Sequence, residues 1–364
     1  MPNCPTVPSP ANEPEFPATP PIKRRLVWIE VARGIAASMV ILLHASAHLE
    51  QELGSVSFRA ALKPGSAAVD FFFVLSGFLI HYVTTRDVGN PRSIGKYLRK
   101  RILRIYPIYW AAMVVFLAMH FASSNSSAVL SPSSILREAS LWPGEKGQAL
   151  IVGVGWSLSY EIFFYVLFAS FLVHRGAGRA VFGAWAVAAL LRVAGVFSAP
   201  SNGALDLLTS EYSLLFPIGM AVAILIRRAR HPRAGTVLLL GIPLFAVGWY
   251  LQSAGHLQHT GPLPRLVYGV CSAIVLYGLI LLDYQGKSTT WRPLLILGEC
   301  SYSIYLFHFV GIGVTAKAIS ILGLYGTTSP FLLVAMLIAG GLGAGVAAGL
   351  LVERPLVRWA RRVA

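Results

Sequence analysis

An arginine and a histidine eleven positions apart, Arg33 and His44, lie in an otherwise apolar stretch, Leu26 to Ala47 (LVWIEVARGIAASMVILLHASA). Its only other charged residue is Glu30. An ionisable group at membrane depth costs about 2.5 kcal/mol or more unless it is paired or lines a wet cavity, so its presence marks a functional position. Eleven residues of helix make three full turns plus about 20° and rise about 16 Å, so both side chains leave one face. A neutral imidazole takes a proton from a hydroxyl, and a guanidinium binds phosphate or carboxylate oxygens. The face therefore offers a base and an anion site at two depths.

The elements that carry this pair are apolar throughout. The chain is 55% hydrophobic and only 12% charged, with mean hydropathy +0.65; soluble domains carry about 25% charged residues. It reads as an all-α polytopic membrane protein of about ten transmembrane helices in one bundle. The ten spans of about 18 to 24 residues are expected near 26–47, 66–85, 105–122, 149–173, 179–197, 209–226, 234–253, 264–283, 293–315 and 329–352. Residues 1–25 read as a disordered Pro-rich cytoplasmic tail, with eight prolines in the first 21 positions and no apolar signal-peptide core. Residues 26–353 form the transmembrane domain, and 354–364 a basic cytoplasmic tail.

The net charge of +15 does not point to nucleic acid, because the basic residues sit in short clusters between apolar spans. Of the 30 Lys and Arg, 22 fall on the side of the two termini, counting Arg179 at the edge of its span, six on the opposite side, counting Arg265 at the edge of its span, and two, Arg33 and Arg192, inside spans. That asymmetry puts both termini in the cytoplasm. The three cysteines, Cys4, Cys271 and Cys300, have no metal-like spacing; Cys271 and Cys300, in apolar spans, read as packing residues, and no metal site is expected.

Five segments in order resemble the membrane-bound acyltransferase family 3, whose members O-acylate polysaccharides and other glycans. They are Glu30-Val31-Ala32-Arg33 followed by His44; VDFFFVLSGFLI from Val69; YLRKRILRIYPIYW from Tyr97, with the Arg-x-x-Arg pair Arg101 and Arg104; GWSLSYEIFFYVLF from Gly155; and LGECSYSIYLFH ending at His308. Glu30 stands where the family usually has Asp. The resemblance implies a membrane-embedded acyltransferase of the O-acetyltransferase type. Acetyl-coenzyme A would be the donor substrate, with no permanently bound cofactor, and a lipid-linked or nascent exopolysaccharide the acceptor. The expected location is a bacterial inner membrane, among membrane lipids and polysaccharide-synthesis machinery. Length and the Pro-rich tail look similar to acetyltransferases that modify mannose in xanthan-type gums.

The resemblance puts the essential histidine at His44, as general base. Arg33 is expected to contact the donor or to pair with Glu30. Arg101 and Arg104 are expected to hold the coenzyme's phosphates, or else to touch lipid headgroups. Asp70 and Glu161 are expected to orient His44, to bind sugar hydroxyls, or to sit as carboxylates at helix N-termini. Trp156 and Tyr160 are candidates to stack on a sugar, or members of an aromatic belt. Tyr302, Tyr305 and His308 form one stripe, with His308 a substrate-binding candidate. His48 reads as interfacial, and Ser76-Gly77 as a point of close helix approach.

A transporter of a polysaccharide precursor or small solute would also use ten spans with buried charges, although no paired inverted halves are visible. A scaffold subunit of a synthesis complex would tolerate loss of His44. The charge asymmetry makes a topological prediction: reporter fusions after Ala364 and within 123–148 report opposite faces of the membrane, and the same face for both contradicts it.

Overall fold

The computed structural model describes residues 26–54, 56–122, 131–144, 150–228 and 232–363. The expected disordered tail, residues 1–25, lies outside the described residues. The rest is helical: α1 (Val27–Leu53), α2 (Arg59–Leu62), α3 (Ala67–Thr84), α4 (Ile94–Ala122), α5 (Pro132–Ala139), α6 (Gly155–Val173), α7 (Arg175–Val193), α8 (Gly203–Thr209), α9 (Leu215–Arg228), α10 (Ala234–Ser253), α11 (Pro262–Tyr284), α12 (Arg292–Glu299), α13 (Ser301–Ile321), α14 (Pro330–Ala348) and α15 (Arg354–Val363). Among the described residues nine helical segments are long and apolar enough to cross a membrane. A tenth arises if Gly203–Thr209 and Glu211–Arg227, bent by 44° at their junction, count as one span.

The bundle is built around α1, which touches α3, α11, α12, α13 and α14. Its face carrying Ile29, Ala36, Ala37, Val40, Ile41 and Ala45 is buried. Glycines set the closest crossings. A Cβ on Gly219 would lie 1.8 Å from the Val74 carbonyl oxygen, and one on Gly77 2.1 Å from that of Phe216, so α3 and α9 touch backbone to backbone. Small residues make such approach possible where no hydrophobic effect drives helices together. The expectation for Ser76-Gly77 is met at Gly77.

Three segments differ from the sequence expectation. The span drawn at 293–315 is broken at Cys300, into the short α12 and the membrane-length α13. The physical reason lies at α1: a Cβ on Gly34 would sit 2.7 Å from the Leu297 carbonyl carbon, and one on Gly298 would sit 2.3 Å from the Glu30 carbonyl oxygen. A short helix pressed across α1 at this level cannot also run on straight as α13. The expected tail at 354–364 is instead helix α15, joined to α14 through the π-helical turn Gly349–Glu353. The third span begins well before residue 105, because α4 starts at Ile94 and takes the basic cluster Lys96 to Arg104 into the helix.

Candidate active site

Three spaces among the described residues bear on the candidate site. The largest, about 1260 Å³, opens between α1, α4, α12, α13 and α15. Its wall carries six cations, Arg33, Lys96, Lys100, Arg104, Arg354 and Arg358, against three carboxylates, Glu30, Glu299 and Glu353. Lys96, Lys100 and Arg104 recur every four residues, which puts them on one face of α4. The π turn brings Glu353 to the start of α13, where it accepts from Ser303 N at 3.0 Å and Ser303 Oγ at 2.6 Å. A carboxylate there takes up free helix N–H groups and suits the helix dipole. Arg354 Nη2 donates to Glu299 Oε2 at 2.6 Å on the rim.

Arg33, Arg104 and Tyr302 also line a second, narrow slot of about 80 Å³, so the two spaces share a wall deeper in the bundle. Phe72, Leu75 and Leu79 make its apolar side, with Ser76, Ser157, Glu161 and Tyr305 its polar groups. Glu161 Oε1 accepts from Ser76 Oγ at 3.0 Å and from the Tyr165 hydroxyl. Tyr302 donates to the Ile105 carbonyl at 3.0 Å, and Tyr305 Oη and Ser157 Oγ are 2.7 Å apart.

Tyr305, on the wall of this slot, links it to two histidines. The Tyr305 carbonyl accepts from His308 Nδ1 at 2.8 Å, and His308 Nε2 lies 2.9 Å from His44 Nδ1. The two imidazoles stack with centroids 5.0 Å apart, and Phe309 packs on both, at 4.4 Å from His44 and 4.5 Å from His308. His308 is fully buried and His44 half-buried.

A third space of about 210 Å³ lies between α4, α5, α6 and α8. Trp142, Trp156 and Tyr160 give it aromatic walls, and Arg137, Glu138, Ser159 and Asp206 give it polar groups. Glu138, buried on α5, accepts from Ile151 N at 2.8 Å and Val152 N at 2.6 Å. That fixes the turn before α6. A Cβ on Gly153, in the same turn, would lie 3.5 Å from the Phe309 ring, so this turn touches the residue that covers His44.

The sequence candidates divide accordingly. Arg33 and Arg104 line both inner spaces, and Glu161 lines the slot. Trp156 and Tyr160 line the third space, with rings 6.0 Å apart at 88°. The side chain within hydrogen-bond distance of His44 is His308, while Asp70 and Glu161 bond to Arg265 and to Ser76 and Tyr165. Asp70 is fully buried and accepts from Arg265 Nη1 at 3.1 Å, because its side of α3 meets α11. Arg101 lines neither inner space. One residue beyond Lys100, it is turned about 100° away and lies over the Tyr97 and Tyr165 rings at 5.6 and 5.7 Å. His48 is 3.4 Å from the Tyr325 hydroxyl and 4.0 Å from Glu52, away from the imidazole pair.

Sequence reasoning missed Lys100, Arg265 and Glu353. The four-residue recurrence of Lys96, Lys100 and Arg104 was a usable signal for the first. Glu353 carries none, because a π turn aims it.

Comparison with known proteins fixes the class. The pattern of the family described as acyltransferase domain matches residues 26–350. The chain belongs to this acyltransferase family. It is 31% identical over 307 residues to the exopolysaccharide production protein ExoZ of Rhizobium meliloti (strain 1021), covering 82% of this chain and 91% of that one. It is 25% identical over 335 residues to acyltransferase MdmB of Streptomyces mycarofaciens, with 80% of each chain covered. No solved structure matches. The protein is a multi-pass membrane acyltransferase, and the transporter and scaffold readings fall away.

The Asp70–Arg265 ion pair is buried between α3 and α11, and a structural role for it has a measurable consequence. Removing one member of a buried pair leaves an uncompensated charge, at a cost of about 3–5 kcal/mol. Asp70→Ala therefore lowers the melting temperature in detergent sharply, and Asp70→Ala with Arg265→Met recovers most of the loss. Unchanged melting in Asp70→Ala contradicts the structural role.

Proposed function

We propose that this acyltransferase moves an acetyl group from acetyl-coenzyme A, entering from the cytoplasm, to a sugar hydroxyl of a lipid-linked or nascent exopolysaccharide. The carrying observation is adjacency: a large basic cavity and a small slot share Arg33, Arg104 and Tyr302, and Tyr305 on the slot's wall accepts through its carbonyl from His308, which meets His44. A coenzyme has that shape and charge. Its phosphates carry several negative charges on a broad head, and its pantetheine arm is thin and largely neutral.

In this reading Lys100, Arg104, Arg354 and Arg358 take the phosphates by charge-assisted hydrogen bonds. Arg33 holds the arm where cavity and slot meet. Phe72, Leu75 and Leu79 exclude water from it, and Glu161 offers an acceptor to its amide N–H groups. His44 takes the proton of the sugar hydroxyl as its oxygen attacks the thioester carbon. Direct transfer requires donor and acceptor to meet at His44, the donor from the slot and the glycan past Phe309 from the third space. Trp156 and Tyr160 stack on the sugar there, and Asp206 and Arg137 take its hydroxyls.

The exopolysaccharide acceptor is supported by the name of the ExoZ relative, and acyl transfer by that of MdmB. Mannose of a xanthan-type gum is the narrowest form of the proposal. The cytoplasmic membrane of a bacterium is the setting it requires, with both termini and the donor on the cytoplasmic side and the synthesis machinery supplying the glycan.

The test is a transfer assay with labelled acetyl-coenzyme A and lipid-linked oligosaccharide, at matched membrane abundance. A general base contributes about 10² to 10⁴ in rate, so His44→Ala loses transfer by that factor. Each charge-assisted contact is worth roughly 1.5–3 kcal/mol, so Lys100→Ala with Arg104→Ala raises the donor KM at least about tenfold, and Arg101→Ala raises it less. Near-normal transfer by His44→Ala overturns the proposal.

A further inference from the structure

We infer that His308 is a positioning residue that fixes the tautomer of His44, so that Nε2 of His44, and not Nδ1, is the basic nitrogen. This rests on the reading of His44 as general base. The observation is a chain of three groups ending on an atom with no proton to give. The Tyr305 carbonyl oxygen only accepts, so the His308 nitrogen 2.8 Å from it, Nδ1, carries a hydrogen. A neutral imidazole has one N–H, so His308 Nε2 is a bare lone pair. That lone pair faces His44 Nδ1 at 2.9 Å, so His44 Nδ1 carries the hydrogen that joins the rings. The remaining nitrogen of His44, Nε2, then carries the lone pair.

The surroundings hold this order. His308 is 0% exposed, and both of its nitrogens are engaged, so it is not the base itself. Phe309 packs on both rings and opposes their rotation. Tyr305, which supplies the terminal carbonyl, is tied through its hydroxyl to Ser157 at 2.7 Å. Helix α13 is pinned to α14 where a Cβ on Gly311 would lie 2.2 Å from the Gly340 carbonyl oxygen. A neutral donor-acceptor partner sets the tautomer without placing a second charge in an apolar bundle, where an aspartate in the same role would have to be held ionised.

The reaction step then has a defined atom map. The acceptor hydroxyl oxygen bonds to the thioester carbonyl carbon and the carbon–sulfur bond breaks. The hydroxyl proton passes to His44 Nε2 and from there to the departing thiolate. The positive charge formed on His44 in between is eased by the Nδ1–H···Nε2 bond to His308, which strengthens as the ring becomes cationic.

The test combines kinetics with a direct reading of the tautomer. His308→Phe keeps an aromatic ring but removes the acceptor, and lowers kcat about tenfold or more with little change in either KM. His308→Gln returns an amide oxygen near the position of Nε2 and recovers kcat to within a few-fold of wild type. In ¹⁵N-histidine protein in lipid nanodiscs, two-bond proton–nitrogen correlations of His44, assigned by their loss in His44→Ala, show the hydrogen on Nδ1 in wild type and a shifted tautomer population in His308→Phe. The wild-type measurement decides the matter even if His308→Phe does not fold, and a hydrogen on His44 Nε2 overturns the inference. An inactive His44→Ala beside a His308→Phe with full kcat overturns it too, leaving the general-base reading intact; an active His44→Ala removes both.

Discussion

Charge inside an apolar bundle needs a partner or water, and the two solutions divide this molecule into a framework and a site. Asp70 and Arg265 take the first: both are buried, they bind each other at 3.1 Å, and the pair clamps α3 to α11. Arg33 and Arg104 instead face open space on the shared wall of the large basic cavity and the slot, with Glu353 and Glu161 on the same walls. The same physics that forbids a lone guanidinium in lipid makes a wet, cation-lined cavity a strong anion site once water is displaced. Which solution a given residue takes depends on which helix face meets it.

Backbone proximity is what lets the wet solution exist. Gly34 and Gly298 bring α12 against α1 beside Arg33, and the break at Cys300 starts α13 at that level. Glu353 covers the start of α13, delivered by a π turn, a geometry often found at functional sites. The cavity floor is thus assembled from helix ends and a helix irregularity. Straight spans would have filled it with side chains.

The local features were legible in the sequence. The Arg33–His44 face of α1, the spans, the positive-inside asymmetry and the five ordered motifs all follow from spacing along one helix or from composition. What was not legible are contacts that helix packing alone creates. Asp70 reads the same whether it turns to His44 or to Arg265. Arg101 and Arg104 read as a pair, yet a rotation of about 300° over three residues, with Tyr165 waiting on α6, sends one to aromatic rings and the other to the cavity. His308 lies 264 residues from His44, and only the contact of α13 with α1 makes them partners.

The proposed reaction has a direction, from the cation-rich cavity, by way of the slot that shares its wall, to the imidazole pair joined to Tyr305. The measurement that tests this most directly is a sided assay in proteoliposomes of known orientation, with acetyl-coenzyme A supplied on one face only and acceptor glycan on the other. Label is expected on the glycan only when the donor is on the face bearing the C-terminus, where α15 lines the basic cavity. Transfer from donor supplied solely to the opposite face would contradict it.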